Sequence, residues 1–283
     1  PLFALIQSRT PRSELSRVIS GVNIQNSLFI VIAAVLGVAV QRFLGWSIPQ
    51  VLLALAIANA VVAIWIFSIV PEFLMRFLSW VMVRALYRLR LHGIERHLPD
   101  EGPALIVCNH VSYMDALILS AAIPRPVRFV MYYKIFDIPV MRWIFRTARA
   151  IPIAGAKEDP ALMQRAFDEI DAALAAGELV GLFPEGALTR DGAIAPFKSG
   201  VEKILGRARA EGRPVPVVPM ALRNLWSSMW SRRDSRLHRM RLPRRFRARI
   251  DVLAGVPEAG AADAAALERL SLIHISQPTR PRL

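Results

Sequence analysis

The stretch from Ile48 to Val70 contains no charged side chain. Few environments accept such a run. About 20 apolar helical residues cross the ~30 Å hydrocarbon core of a bilayer, and this run is long enough to do so. In lipid the backbone must satisfy its own hydrogen bonds, which a helix does internally. We read Ile48 to Val70 as a membrane-spanning helix; a buried helical hairpin in a soluble protein is the alternative. A shorter apolar run covers residues 24 to 40, with Leu28-Phe29-Ile30-Val31-Ile32 at its start. It lies near the lower limit of a span. Arg42, Gly45 and the interfacial Trp46 separate the two runs. The expectation for residues 1–70 is a two-helix transmembrane hairpin.

Arginines flank that hairpin. Arg9, Arg12 and Arg17 precede it, Arg76, Arg84, Arg88 and Arg90 follow, and Arg42 stands alone in the turn. By the positive-inside rule both ends are cytoplasmic, so the remainder of the chain faces the cytoplasm from the cytoplasmic membrane. The opening, Pro1-Leu2-Phe3-Ala4-Leu5-Ile6-Gln7 through Ser16-Arg17-Val18-Ile19, resembles, together with the hairpin, the end of a major-facilitator transporter. That resemblance implies a fusion whose first part precedes Pro1. No charged n-region or cleavage site marks a signal peptide.

The formal charge of +14 and the mean hydropathy of +0.38 narrow the partners. A basic excess suits a polyanion, either nucleic acid or an anionic lipid surface. The apolar bias favours lipid, and no nucleic-acid recognition module is present. Ten arginines with Trp226 and Trp230 fall within residues 223–249, a cluster suited to lipid headgroups or to a plain solvated loop. A single cysteine, Cys108, excludes an internal disulfide.

Residues 71–98 read as an amphipathic interfacial helix, Pro71 to Arg90, followed by a linker. Phe73, Leu74, Phe77, Leu78, Val81, Met82 and Leu86 form its apolar side; packing into a core is the ordinary alternative. Residues 99–255 alternate short apolar runs with helical stretches, the pattern of an α/β domain with a mostly parallel central sheet flanked by helices. Candidate strands are Ala104–Cys108, Val127–Met131, Ala150–Ile153, Leu179–Phe183, Val215–Met220 and Ala248–Leu253. Candidate helices are Tyr113–Ala122, Pro139–Thr147, Pro160–Ala176 and Ser199–Ala210, the third with Asp159 as N-cap and Gly177 past its end. Residues 256–283 are an Ala-rich tail. From Ser271 to Pro281 it reads as translated adapter sequence, so His274 is set aside.

The chemistry concentrates in Asn109-His110-Val111-Ser112-Tyr113-Met114-Asp115. Here a histidine stands where a strand ends and a helix begins, the usual place for reactive groups in an open α/β sheet. A neutral imidazole can take a proton from a hydroxyl. A carboxylate on its other nitrogen would fix the tautomer. Residues five apart do not share a helix face, so the pair requires His110 to precede the helix proper. Alone, this spacing is as compatible with a capping histidine and a solvated aspartate.

Two further blocks follow, Phe183-Pro184-Glu185-Gly186 and Val215-Pro216-Val217-Val218-Pro219. The three in this order resemble the glycerolipid (lysophospholipid, 1-acylglycerol-3-phosphate) acyltransferases, over roughly Leu91 to Gly255. The resemblance implies transfer of an acyl group from a thioester, acyl-CoA or acyl carrier protein, to a lysophospholipid hydroxyl. His110 would be the general base and Asp115 its orienting partner. Glu185 and Gly186 match the acceptor-binding block, with Arg190, Lys198 and Lys134 as phosphate or donor contacts. The family needs no metal and no tightly bound cofactor.

The chain departs from the family pattern Glu-Gly-Thr-Arg-Ser, since Ala187 and Leu188 occupy the positions of its threonine and first arginine. Ala154-Gly155-Ala156-Lys157 also lacks an arginine that many relatives carry. Both departures weaken the case for lysophosphatidic acid and leave room for a capped-phosphate acceptor such as lysophosphatidylethanolamine. The rival class is a non-enzymatic transporter remnant with a lipid-binding domain. Two spans predict that the protein stays in the membrane pellet after a high-salt wash; release into the supernatant would contradict them.

Overall fold

The computed structural model describes residues 10–11, 13–69, 71–189, 193–226 and 247–259. The chain divides into two units, residues 1–69 and 70–283. The first unit holds α1 (Leu15–Leu44) and α2 (Ile48–Ile69), both long and apolar enough to cross a membrane. The helix α1 starts well before the apolar run read from sequence, and no proline stands between Pro11 and that run. Gly45 ends it at φ +69°, a left-handed cap that glycine adopts freely. Ser47 then opens α2, its N–H donating to Gln50 Oε1 at 2.8 Å.

The second unit is built on one sheet. Its elements are α3 (Pro71–Leu86), β1 (Tyr87–His92), α4 (Ile94–His97), β2 (Ala104–Cys108), α5 (Asp115–Ala122) and β3 (Val127–Tyr132). A 3-10 turn (Tyr133–Asp137) leads to α6 (Pro139–Thr147), β4 (Ile151–Ile153), α7 (Pro160–Ala175), β5 (Leu179–Leu182), α8 (Gly200–Ala210), β6 (Pro216–Arg223), β7 (Ala248–Ala254) and β8 (Glu258–Ala259). The strand order is β1-β7-β6-β2-β5-β3-β4, with β8 beside β6. Pairing is parallel from β6 through β4 and between β1 and β7, and antiparallel where β6 meets β7 and β8. A mostly parallel α/β sheet is therefore present.

Both faces of the sheet are covered, so β2 is buried at every position. Its residues alternate between two cores. Ala104, Ile106 and Cys108 join Val83, Tyr87, Ile118, Leu119 and Phe129 on one side. Leu105 and Val107 meet Phe167, Ile170 and Leu174 of α7 and Ile204 of α8 on the other. Asp159 caps α7 as expected, accepting from Leu162 N at 2.8 Å.

Two readings need correction. The amphipathic helix stops at Leu86 rather than Arg90, because Tyr87 to His92 pairs with Ala248 to Leu253 as strand β1. Residues 71–98 thus supply a helix and an edge strand to the second unit. The apolar side read for α3 lies outward: Phe77, Leu78 and Val81 are exposed, as is Trp80, while Met75, Ser79 and Val83 are buried. Finally, α5 begins at Asp115, so Tyr113 lies in the preceding turn. The arginine-rich stretch 227–246 with Trp230, the tail from 260 and the opening nine residues lie outside the described residues.

Gly181 has a packing role in β5. A Cβ there would come within 2.6 Å of two Phe129 ring carbons and 3.0 Å of Val127 Cγ1. Gly181→Ala should therefore displace the Phe129 ring and cost about 1–3 kcal/mol. Denaturant unfolding in detergent checks this.

Candidate active site

Strand β2 carries the chain to the C-terminal edge of the sheet, and the site is built in the turn beyond it. The Asn109 side chain prolongs the sheet by one rung: Leu222 N donates to Oδ1 at 2.8 Å and Nδ2 donates to Leu222 O at 3.2 Å. The next residue is thereby fixed at the end of β6 as well as β2. His110 follows, with its side chain 23% exposed.

Asp115, the first residue of α5, is fully buried. Its carboxylate receives His110 Nδ1 at 2.8 Å and the N–H groups of Val111 at 2.6 Å and Ser112 at 3.0 Å. Burial pushes the carboxyl up from its ordinary range, while the imidazole and the two amides pull it back. A carboxylate only accepts, so Nδ1 carries a proton, and in the neutral imidazole the lone pair is then on Nε2. The pairing read from sequence is formed, and for the stated reason: His110 lies in the turn before the helix. The imidazole also stacks on Phe183, with centroids 4.4 Å apart, and Phe183 stacks on Phe129.

The second block meets the first directly. Glu185 is 4% exposed, and each of its oxygens is taken by a backbone amide: His110 N at 2.7 Å and Ala195 N at 2.9 Å. Thr189 N donates in return to His110 O at 2.9 Å. Burial raises the Glu185 carboxyl and the two amides lower it. Its contacts are those of a clamp between blocks, and each oxygen keeps a further lone pair. Gly186 adopts φ +66°, and a Cβ there would run into the end of the Lys198 side chain. Lys198 is exposed, and its own N–H holds Pro184 O at 2.9 Å.

Lys134 belongs to a separate group. It pairs with Glu158 at 2.8 Å, which holds its ammonium above the ordinary range, and it lies over the Tyr132 and Tyr133 rings. Arg190 lies outside the described residues. Leu188, at the position of the family's first arginine, is buried. Sequence reasoning gave no role to Asn109, Phe183 or Thr189, although a polar residue directly after a wholly apolar strand was a usable signal for the first.

A pocket of about 310 Å³ opens beside His110. Glu185, Thr189, Ile194, Leu222 and Trp226 contribute to its wall. A proton acceptor thus faces a cavity lined largely by apolar groups.

Glu185→Gln tests the clamp. The amide group keeps the shape, but its NH₂ end would oppose one of the two backbone N–H donors. Leaving that donor unsatisfied should cost about 1–3 kcal/mol. Unchanged unfolding stability would count against the clamp.

The comparisons with known proteins bear on the sequence and the fold. Over 151 residues the chain is 27% identical to a "1-acyl-sn-glycerol-3-phosphate acyltransferase BAT2, chloroplastic" of Brassica napus, a match covering 53% of this chain and 42% of that protein. A "Lyso-ornithine lipid O-acyltransferase" of Brucella abortus is 28% identical over 166 residues, covering 59% of this chain and 57% of the relative. The chain spans less than half the length of the Brassica napus relative. The transporter resemblance of the first 70 residues finds no support among these relatives. A crystal structure of the 1-acyl-sn-glycerophosphate acyltransferase PlsC from Thermotoga maritima superposes with a TM-score of 0.53 at 17% identity, over 75% of this chain and 81% of that one. At that identity it bears on fold alone. Residues 88–223 match the family model described as Acyltransferase, and over that segment this chain is similar to the acyltransferase family in both its sequence and its fold.

Proposed function

We propose that the protein is a membrane-bound O-acyltransferase that moves a fatty acyl group from a thioester to the free hydroxyl of a lysophospholipid such as 1-acylglycerol-3-phosphate. The observation that carries this reading is the His110–Asp115 pair at the mouth of the pocket, with Nδ1 bound at 2.8 Å and Nε2 left as the base. Its setting in a segment that matches the acyltransferase family adds to it.

In this mechanism His110 Nε2 takes the proton of the acceptor hydroxyl as its oxygen attacks the thioester carbonyl. Asp115 stabilises the imidazolium that forms. Collapse of the tetrahedral intermediate breaks the C–S bond, and the imidazolium returns the proton to the leaving thiolate. No acyl-enzyme is required, since no Ser or Cys stands in a nucleophile-elbow motif, and Cys108 and Ser112, which flank the histidine, are both buried. Phe183 limits the tilt of the ring by stacking on it. The donor is acyl-CoA or an acyl carrier protein. Both are acidic and suit the basic chain, and the second would make the carrier protein a partner. The hairpin would hold the enzyme in the cytoplasmic membrane with its site on the cytoplasmic side.

A second acceptor class is favoured by one specific observation. Buried Leu188 stands where the family pattern has an arginine, so a phosphate dianion loses one expected counter-charge. An acceptor with a capped phosphate or a zwitterionic head group fits that loss. The lyso-ornithine lipid named for the Brucella abortus relative is of this kind.

Acyl transfer assayed with a panel of lysolipids, with products identified by mass, tests the reading. His110→Ala should lower turnover by about 10²–10⁴-fold with fold and membrane association retained. Asp115→Asn keeps a group able to accept from the backbone amides, yet it no longer enforces the Nδ1–H tautomer. Turnover should fall there too. Full turnover in the alanine variant would remove His110 as the base.

A further inference from the structure

The pocket beside His110 has a polar feature that the reaction above does not use. Asn224 lines it, directly after β6. Its Nδ2 donates to Asp251 Oδ2 at 2.8 Å. Asp251, on β7, is 8% exposed, and its Oδ1 lies 3.4 Å from His92 Nε2 on β1. Three segments thus converge behind one amide. A carboxylate only accepts, so the nitrogen of Asn224 must face Asp251 and the sense of the amide is fixed. Oδ1 is then the end left for the pocket. Asn224 also holds φ +65°, a left-handed conformation that asparagine tolerates better than most residues.

Charge narrows what that oxygen would meet. Among the described residues, the pocket wall includes the Glu185 carboxylate and no lysine or arginine. Asp115 stands behind His110 and Asp251 behind Asn224. One carboxylate in the wall, with two more behind it, favours a cation over a phosphate dianion. A cation bearing N–H groups suits both that charge and the oxygen of Asn224, an exposed residue.

We propose that Asn224 is a specificity-determining residue whose Oδ1 accepts a hydrogen bond from an ammonium N–H on the acceptor head group, with Asp251 as the positioning residue that holds the amide. The assignment rests on the acyltransferase reading and selects an acceptor class within it. The amide N–H groups of a pantetheine-type donor offer similar chemistry, so the test separates the two sources.

The experiment uses the full chain in detergent, one acyl thioester, and three lysophospholipids of equal chain length. Their head groups are ethanolamine (charge with N–H), choline (charge without N–H) and the bare phosphate monoester. Wild type should show the highest kcat/KM with the ethanolamine acceptor. In Asn224→Gly, which suits φ +65°, the kcat/KM ratio of ethanolamine to choline acceptor should fall by at least about tenfold. Asp251→Asn should shift that ratio in the same direction by less, because an amide can still bind Nδ2 but no longer dictates its orientation. An unchanged ratio in Asn224→Gly overturns the proposal. So does an equal loss with all three acceptors that vanishes when the thioester lacks pantetheine amides, since Asn224 would then serve the donor. Wild type using the three acceptors equally overturns it while leaving acyl transfer established. Inactivity with every acceptor overturns the acyltransferase reading, and this assignment falls with it.

Discussion

A single buried carboxylate organises the turn that follows β2. Asp115 is out of contact with water, and an ion so placed is costly unless its lone pairs are filled. Here an imidazole and two backbone amides fill them. The same bonds that make the carboxylate tolerable dictate the path of residues 110 to 112. They also set which imidazole nitrogen bears hydrogen. Local folding and proton chemistry are therefore one constraint, and the start of α5 adds the positive end of its backbone dipole to it.

The sheet gives that turn its surroundings. The C-terminal ends of β2, β5 and β6 come together because the three strands run parallel and adjacent. Asn109 ties the first to the third, and Glu185 ties the loop after β5 to His110. Residues far apart in sequence thus reach the histidine through backbone hydrogen bonds, whose geometry varies little. Glu185 acts through this scaffold. Its two oxygens each accept one backbone amide.

Much of this was legible in the sequence, for identifiable reasons. Strand β2 is five buried residues bounded by Gly102-Pro103, and a run of that kind has few other fates. The five-residue spacing of His110 and Asp115 demanded a turn before the helix, and the turn is there. Other features were hidden by competing patterns. Tyr87-Arg88-Leu89-Arg90-Leu91-His92 alternates with period two, yet Arg84 and Arg88 also continue the helical spacing of α3. Only pairing with β7, some 160 residues on, decides between them. The packed side of α3 was hidden for a related reason. Its core-facing residues include the small polar Ser79, which bonds to Met75 O within the helix, so the most hydrophobic stripe is not the packed one. The network behind Asn224 joins residues 92, 224 and 251, a juxtaposition no local spacing could reveal.

The outward stripe of α3 bears on how the second unit behaves in water. Phe77, Leu78, Trp80 and Val81 lie on one short helix and are all more than 40% exposed. A patch of that kind is a liability for a protein free in solution. Greasiness in this molecule is thus not confined to the two long N-terminal helices. Trimming the chain after Ile69 would leave a body that still clings to detergent, to lipid or to its own copies.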